Sequence, residues 1–120
     1  FIEEVAQDQF MKRLSNCIRG IVHQQLVPTL DNGKLVPALE ILTFTSTVMD
    51  YVKDGKFEDL QLLMQKSKQP NIQTMNMSLF ELFQKGVISK ETALEFSLEK
   101  VEMDQMLRGI YRNSSLEQDY

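Results

Sequence analysis

One cysteine and one histidine serve all 120 residues, and each scarcity closes off a class of chemistry. Cys17 by itself builds neither an intramolecular disulfide framework nor a cysteine-based zinc site. His23 by itself excludes a histidine pair on a metal and weakens any acid–base scheme. Long apolar runs are missing too. Nothing approaches the roughly 20 residues that span a bilayer, and no basic segment leading into an apolar one opens the chain. These absences predict a soluble intracellular protein. Lysine and arginine form no block, and 13 of them against 17 acids give a net charge of −4. Neither nucleic acid nor an anionic membrane is therefore the expected partner. The chain also lacks G-x-x-x-x-G-K-[ST], the loop whose backbone N–H groups and lysine hold phosphates. Its five glycines are scattered at expected helix ends and one turn, and no apolar strand ends in the acids that hold magnesium. No catalytic, cofactor-binding or metal-binding residue is assigned on these grounds. The first residue is Phe1 rather than methionine, which we read as the mark of a fragment.

What is present suits a modest globular domain, 42% hydrophobic and 25% charged. From Ile2 to Ile21 the apolar residues fall at helical spacing, and Gly20 marks the expected end of this first helix. The period then changes. Val22 to Pro28, a turn at Asp31-Asn32-Gly33-Lys34 and a second arm from Leu35 to Thr43 make a hairpin signature. Pro28 and Pro37 cannot donate ladder hydrogen bonds and are expected at strand ends or an edge. After Thr43 the chain reads as helices only. One is capped within Thr45-Ser46-Thr47 and runs to Asp54, with Gly55 closing it. A second runs from Phe57 to Ser67 ahead of Pro70, and a third from Thr74 to Lys85 ahead of Gly86. Ser89 caps a fourth, and Met103, Met106, Leu107 and Ile110 mark a last one. Residues 112–120 have no period and are expected to form a flexible tail.

Several residues invite a functional reading and take a structural one. Cys17 shares a stripe with Leu14, Ile18 and Ile21, so it is expected to be buried as a small hydrophobe. His23 reads as an ordinary strand residue. The methionines, among them 64, 75, 77, 103 and 106, coincide with apolar stripes and are expected in the core rather than in an adaptable binding groove. Glu95, Glu99, Glu102 and Asp104 read as a solvated helix face.

Order and spacing carry a family likeness that no single piece carries alone. His23-Gln24-Gln25-Leu26-Val27-Pro28, the turn, and Val36-Pro37-Ala38-Leu39-Glu40-Ile41 resemble the S-Q-x-L-[LV]-P and V-x-x-x-E-[IV] pattern of the PilT/PilU type IV pilus retraction (twitching motility) ATPases. Without a gap, Thr47-Val48-Met49-Asp50-Tyr51-Val52-Lys53-Asp54 falls on that family's A-I-R-N-L-I-R-E motif. Asn71 to Leu79 falls on G-M-Q-T-x-D-x-x-L, and Gly86 to Ala93 keeps G-x-I-[ST]-x-E-x-A. Lys66-Ser67 and Phe80-Glu81-Leu82-Phe83 look nearer to the PilU branch. The likeness spans residues 14–108. The chain departs from the pattern where the two arginines become Met49 and Lys53 and the glutamate becomes Asp54, so the planar guanidinium forks are absent. The basic residue expected at the start of the second strand is Leu35, and the turn glycine is Asn71.

The resemblance implies an α+β fold, mainly α with one β-hairpin. Residues 1–44 would be the last helix and hairpin of a RecA-like ATPase core, 45–111 a small helical C-terminal domain, and 112–120 the tail. It implies a parent that is a hexameric motor binding ATP and Mg at the inner face of the cytoplasmic membrane, peripheral to the membrane through its partners. This piece would pass motion to subunits and pilus-base proteins through Thr47, Val48, Met49, Asp50, Tyr51, Val52, Lys53 and Asp54. It would not hydrolyse ATP by itself. Glu40, at the place of a family acid, is read as structural, with a nucleotide-pocket neighbour as the other reading. Because a hairpin cut from a larger sheet has unpaired edges, the piece is expected to dimerise or exchange its hairpin. The alternative is a stand-alone helical protein–protein interaction module without motor activity, and an intermediate is a retraction paralogue with a drifted motif.

Overall fold

The computed structural model describes residues 4–31, 33–69 and 71–109, and the change of period near residue 20 is its first landmark. Helix α1 (Glu4–Cys17) stops ahead of the expected boundary, and strand β1 (Gly20–Pro28) begins at the glycine expected to end the helix. The reason is local crowding. A Cβ built on Gly20 would lie 3.3 Å from the Leu42 carbonyl oxygen, so the strands approach here more closely than most side chains allow. Ile21 and Val22 join the sheet, because a β-branched pair gains more from a ladder than from one more helical turn.

Strand β2 (Leu35–Thr43) returns from the turn, where Gly33 has φ 85° and the Thr29 N–H donates to the Lys34 carbonyl at 3.0 Å. Five short helices were expected next, and they form: α2 (Ser46–Lys53), α3 (Phe57–Lys66), α4 (Met75–Gln84), α5 (Lys90–Phe96) and α6 (Lys100–Leu107). Between α3 and α4 the chain also makes β3 (Ile72–Gln73), which corrects the reading of helices only after Thr43. Two residues are too few to show a period of two. The architecture is α+β, mainly helical, with sheet order β1-β2-β3.

The edge of β2 away from β1 accounts for its backbone donors one by one. Pro37 has no N–H to satisfy, and the Leu39 N–H donates to Ser78 Oγ at 3.0 Å. Ile41 and Leu42 stand opposite Gln73 and Ile72 in the antiparallel β2–β3 ladder. The Thr43 N–H and hydroxyl both donate to the Asn71 carbonyl, at 3.2 and 2.9 Å. Pro37 is thus tolerated inside a middle strand because that strand is flanked on both sides over only two residues.

The described chain forms two compact units. One gathers the residues up to His23 with Glu40–Thr74, and its core is Leu42, Val48, Val52, Leu60 and Ile72, with Phe44, Tyr51, Leu63 and Met64 against it. The other gathers Gln24–Leu39 with the chain from Met75 onward, around Val27, Ala38, Met75, Leu79, Ile88, Ala93 and Met103. Leu79 and Met103 are fully enclosed, and burying such a side chain stabilises by about 1.5–3 kcal/mol. Met75 and Met103 are core as expected, Met64 packs beside the first core, and Met77 and Met106 are half-buried.

Cys17 is exposed, against the expectation of burial. Helix α1 packs on α2 and buries only Ser15, whose hydroxyl turns back to the Lys12 carbonyl at 2.8 Å. The stripe through Leu14, Cys17 and Ile18 is real in sequence, but no described element covers its cysteine. Asn32, Pro70, Ile110 and the tail expected at 112–120 lie outside the described residues.

Candidate functional site

Helix α2 is built by its caps. Thr45 sits at the N-cap with extended φ and ψ, its side-chain oxygen accepting from the Val48 N–H at 3.3 Å, and Gly55 follows the C-terminal end at φ 70°. The β-branched Val48 and Val52, four residues apart, are buried in the core of their unit, which fixes the rotation of the helix about its axis.

That rotation divides the eight residues of the expected interaction segment. Val48 and Val52 face inward and are spent on stability. Tyr51 packs against the same core, and Met49 is half-buried. Thr47, Asp50, Lys53 and Asp54 are exposed. Thr47, Asp50 and Asp54 follow the i, i+3, i+7 spacing of one outward stripe. Met49 and Lys53, four apart, share a second stripe, and these two positions stand where the family pattern carries arginine. Lys53 lies in the last turn, where the helix dipole favours a cation.

His23 is an exposed residue of β1, as expected. Sequence reasoning missed a buried polar cluster in the second unit. Asn76, at the first turn of α4, is 4% exposed and donates through Nδ2 to the Glu99 carbonyl at 2.9 Å and to Glu102 Oε1 at 2.7 Å. Ser97, 2% exposed, donates to Asn76 Oδ1 at 2.6 Å. One amide therefore ties α4 to both ends of the α5–α6 link. Glu102 does not belong to a purely solvated face: its carboxylate takes a hydrogen bond from the interior, while Asp104 pairs with Arg108 at 2.9 Å. The signal available in sequence was an asparagine and a serine inside apolar spacing, where a polar residue must find a partner. Among the described residues one buried side-chain oxygen, Gln25 Oε1, has no partner.

No helix among the described residues is long and apolar enough to cross a membrane. No protein-family model matches the chain. Over 81 residues, 68% of this chain, it is 36% identical to the type IV pilus ATPase PilU of Pseudomonas aeruginosa. It is 29% identical over 80 residues to a twitching motility protein of Neisseria gonorrhoeae, and 29% identical over 92 residues to the type IV pilus retraction ATPase PilT of Pseudomonas aeruginosa. The matched stretch is 21% of the first two of these proteins and 26% of the third, so the chain spans about a fifth to a quarter of the relatives it matches. In fold it is similar to the crystal structure of the pilus retraction motor PilT with bound ADP, at TM-score 0.75 and 30% identity, covering 88% of this chain and 29% of that one. The Legionella pneumophila ATPase DotB shares the fold at TM-score 0.57 and 23% identity, over 78% of this chain and 25% of that one.

Proposed function

We propose, for a chain related in sequence and fold to the PilT/PilU-type pilus retraction ATPases, that it is the output part of such a motor and passes ATP-driven motion to its partners. The observation that carries this reading is that sequence and fold point to the same retraction motors along most of the chain. In this reading ATP and Mg are held elsewhere in the protein that carries the chain. That protein works as a hexamer in the cytoplasm, at the inner face of the cytoplasmic membrane, and reaches the membrane through pilus-base proteins. Residues 1–44 complete the nucleotide-binding core, and residues 45–111 form the helical domain that moves. The contact surface is the outward side of α2, with Asp50, Lys53 and Asp54 at its centre. Charged, exposed groups on a helix locked from behind by Val48 and Val52 suit this role, because a contact that transmits force must not rotate when loaded.

The test is made in the full-length protein. Asp50→Lys together with Lys53→Glu changes only exposed side chains, so stability should move by about 0.5 kcal/mol or less. ATP hydrolysis is expected to continue while twitching is lost, and motility at the unmodified level would remove α2 as the contact. The arginine departures make a separate prediction. Met49→Arg with Lys53→Arg restores two planar donors on one stripe and is expected to raise retraction speed. Unchanged retraction would show that the missing guanidinium groups are not what sets this chain apart.

A further inference from the structure

The first unit contains a hollow of about 370 Å³ where the start of α2 meets the end of α3. Thr45, Thr47, Lys66, Ser67, Lys68 and Gln69 form its rim, and Leu63 and the buried Ile72 form its apolar floor. Neither lysine ammonium has an ion-pair or hydrogen-bond partner among the described residues. The two exposed lysines stand two positions apart in the sequence on this rim, and no carboxylate is among the residues that line the hollow. The hydroxyls are oriented as well. Thr45 Oγ1 accepts from the Val48 N–H, and Ser67 Oγ accepts from the Gln69 N–H at 3.2 Å, so each hydroxyl proton is left to donate elsewhere. The rim is therefore rich in donors and in positive charge.

We propose that this hollow is a docking site for a short acidic peptide segment of a partner protein, one that alternates carboxylates with apolar side chains. Charge complementarity selects the acids, which meet Lys66, Lys68 and the hydroxyls. The floor of Leu63 and Ile72 selects the apolar neighbour. A volume near the lower end of the roughly 300–1,000 Å³ range of ligand pockets fits one apolar side chain with its flanking acids and exceeds what a lone oxyanion fills. The first turn of α2 contributes the positive end of its dipole at the same rim, an addition that by itself identifies nothing. The proposal stands on the chemistry of the hollow and does not depend on the motor reading.

The test uses the full 120-residue chain and a fluorescein-labelled peptide of alternating glutamate and leucine, followed by anisotropy. Binding is expected to saturate, to weaken as ionic strength rises from about 0.05 to 0.5 M, and to fall about tenfold or more in a Lys66→Glu, Lys68→Glu variant. Both lysines are exposed, so the variant should fold, and its circular dichroism melt verifies this. A second measurement needs no variant. Amide shifts of the unmodified chain titrated with the peptide should change at residues 45–47 and 66–69. Equal binding by a glutamine-for-glutamate peptide, equal binding by the variant, or shifts located elsewhere would overturn the proposal. Displacement of the peptide by millimolar inorganic phosphate would overturn it in favour of a simple oxyanion site. Capture by phosphatidylserine vesicles without peptide binding would overturn it in favour of a membrane contact.

Discussion

Asn76→Asp is expected to destabilise the chain by about 3 kcal/mol, the sum of a lost buried donor and a new like-charge contact. The Asn76 amide nitrogen stands 2.7 Å from a Glu102 carboxylate oxygen, so the substitution places two carboxylates face to face with little water between them. It also removes one of the donors to the Glu99 carbonyl, which keeps the Met103 N–H at 3.0 Å. For a domain of this size the melting temperature should fall by about 10 °C or more. The effect should depend on pH. A carboxylate whose folded-state pKa is raised by a like charge binds its proton more tightly folded than unfolded, so the variant should recover stability as pH falls through that raised value. A companion change supplies the control. Glu102→Gln added to Asn76→Asp gives the introduced carboxylate an amide donor and is expected to restore most of the loss. Thermal melts of the unmodified chain and the two variants at neutral and acidic pH check this, and equal melting of the single and double variants would refute it. The family pattern carries an acid at position 76, so the asparagine here is matched to its own glutamate rather than interchangeable with that acid.

The unmodified 120-residue chain is expected to form dimers, and Val22→Lys with Leu26→Lys is expected to make it monomeric. Strand β1 is the long edge strand of the sheet and holds no Asp, Glu, Lys or Arg from Gly20 to Pro28. Natural sheets guard such edges with charge, bulges or cover. Here Val22 is 66% exposed and Leu26 52%, on the same face as Leu35 at 60%. An uncharged nine-residue edge with an apolar face suits antiparallel pairing to its own copy about a twofold axis. Multi-angle light scattering over a concentration series measures both states, and a monodisperse monomer for the unmodified chain would refute the prediction.

Much of this molecule was legible in the sequence because punctuation and period agreed. Thr45 and Ser89 were readable as caps and Gly55 and Gly86 as stops, since only a few residue types do those jobs cheaply. Leu60, Met75, Leu79 and Met103 followed from helical spacing. What was not legible depends on contacts distant in sequence. Cys17 lies on an apolar stripe, yet a stripe says which side of a helix is apolar and not whether anything covers it. Strand β3 exists because β2 has an edge to satisfy, not because Ile72 and Gln73 prefer extension. Helix α1 ends early for a similar reason, the close approach of Gly20 to Leu42. In the candidate site, the segment itself came from the order of motifs, but its division into an inward and an outward side needed the placement of Val48 and Val52. The hollow beside it draws on residues 45–47 and 63–72, a grouping that no window of sequence displays.

The donor accounting along β2 also limits how copies of this chain can assemble. Pro37 offers no N–H, the Leu39 N–H belongs to Ser78, β3 covers the next positions, and the Thr43 N–H belongs to Asn71. That side of β2 is closed to an incoming strand, and β3 beyond it is only two residues long, which leaves β1 as the one long open edge among the described residues. A filament needs each copy to carry two such edges, one to receive and one to offer. With a single edge, the first pairing consumes the valence of both partners, and growth stops at two.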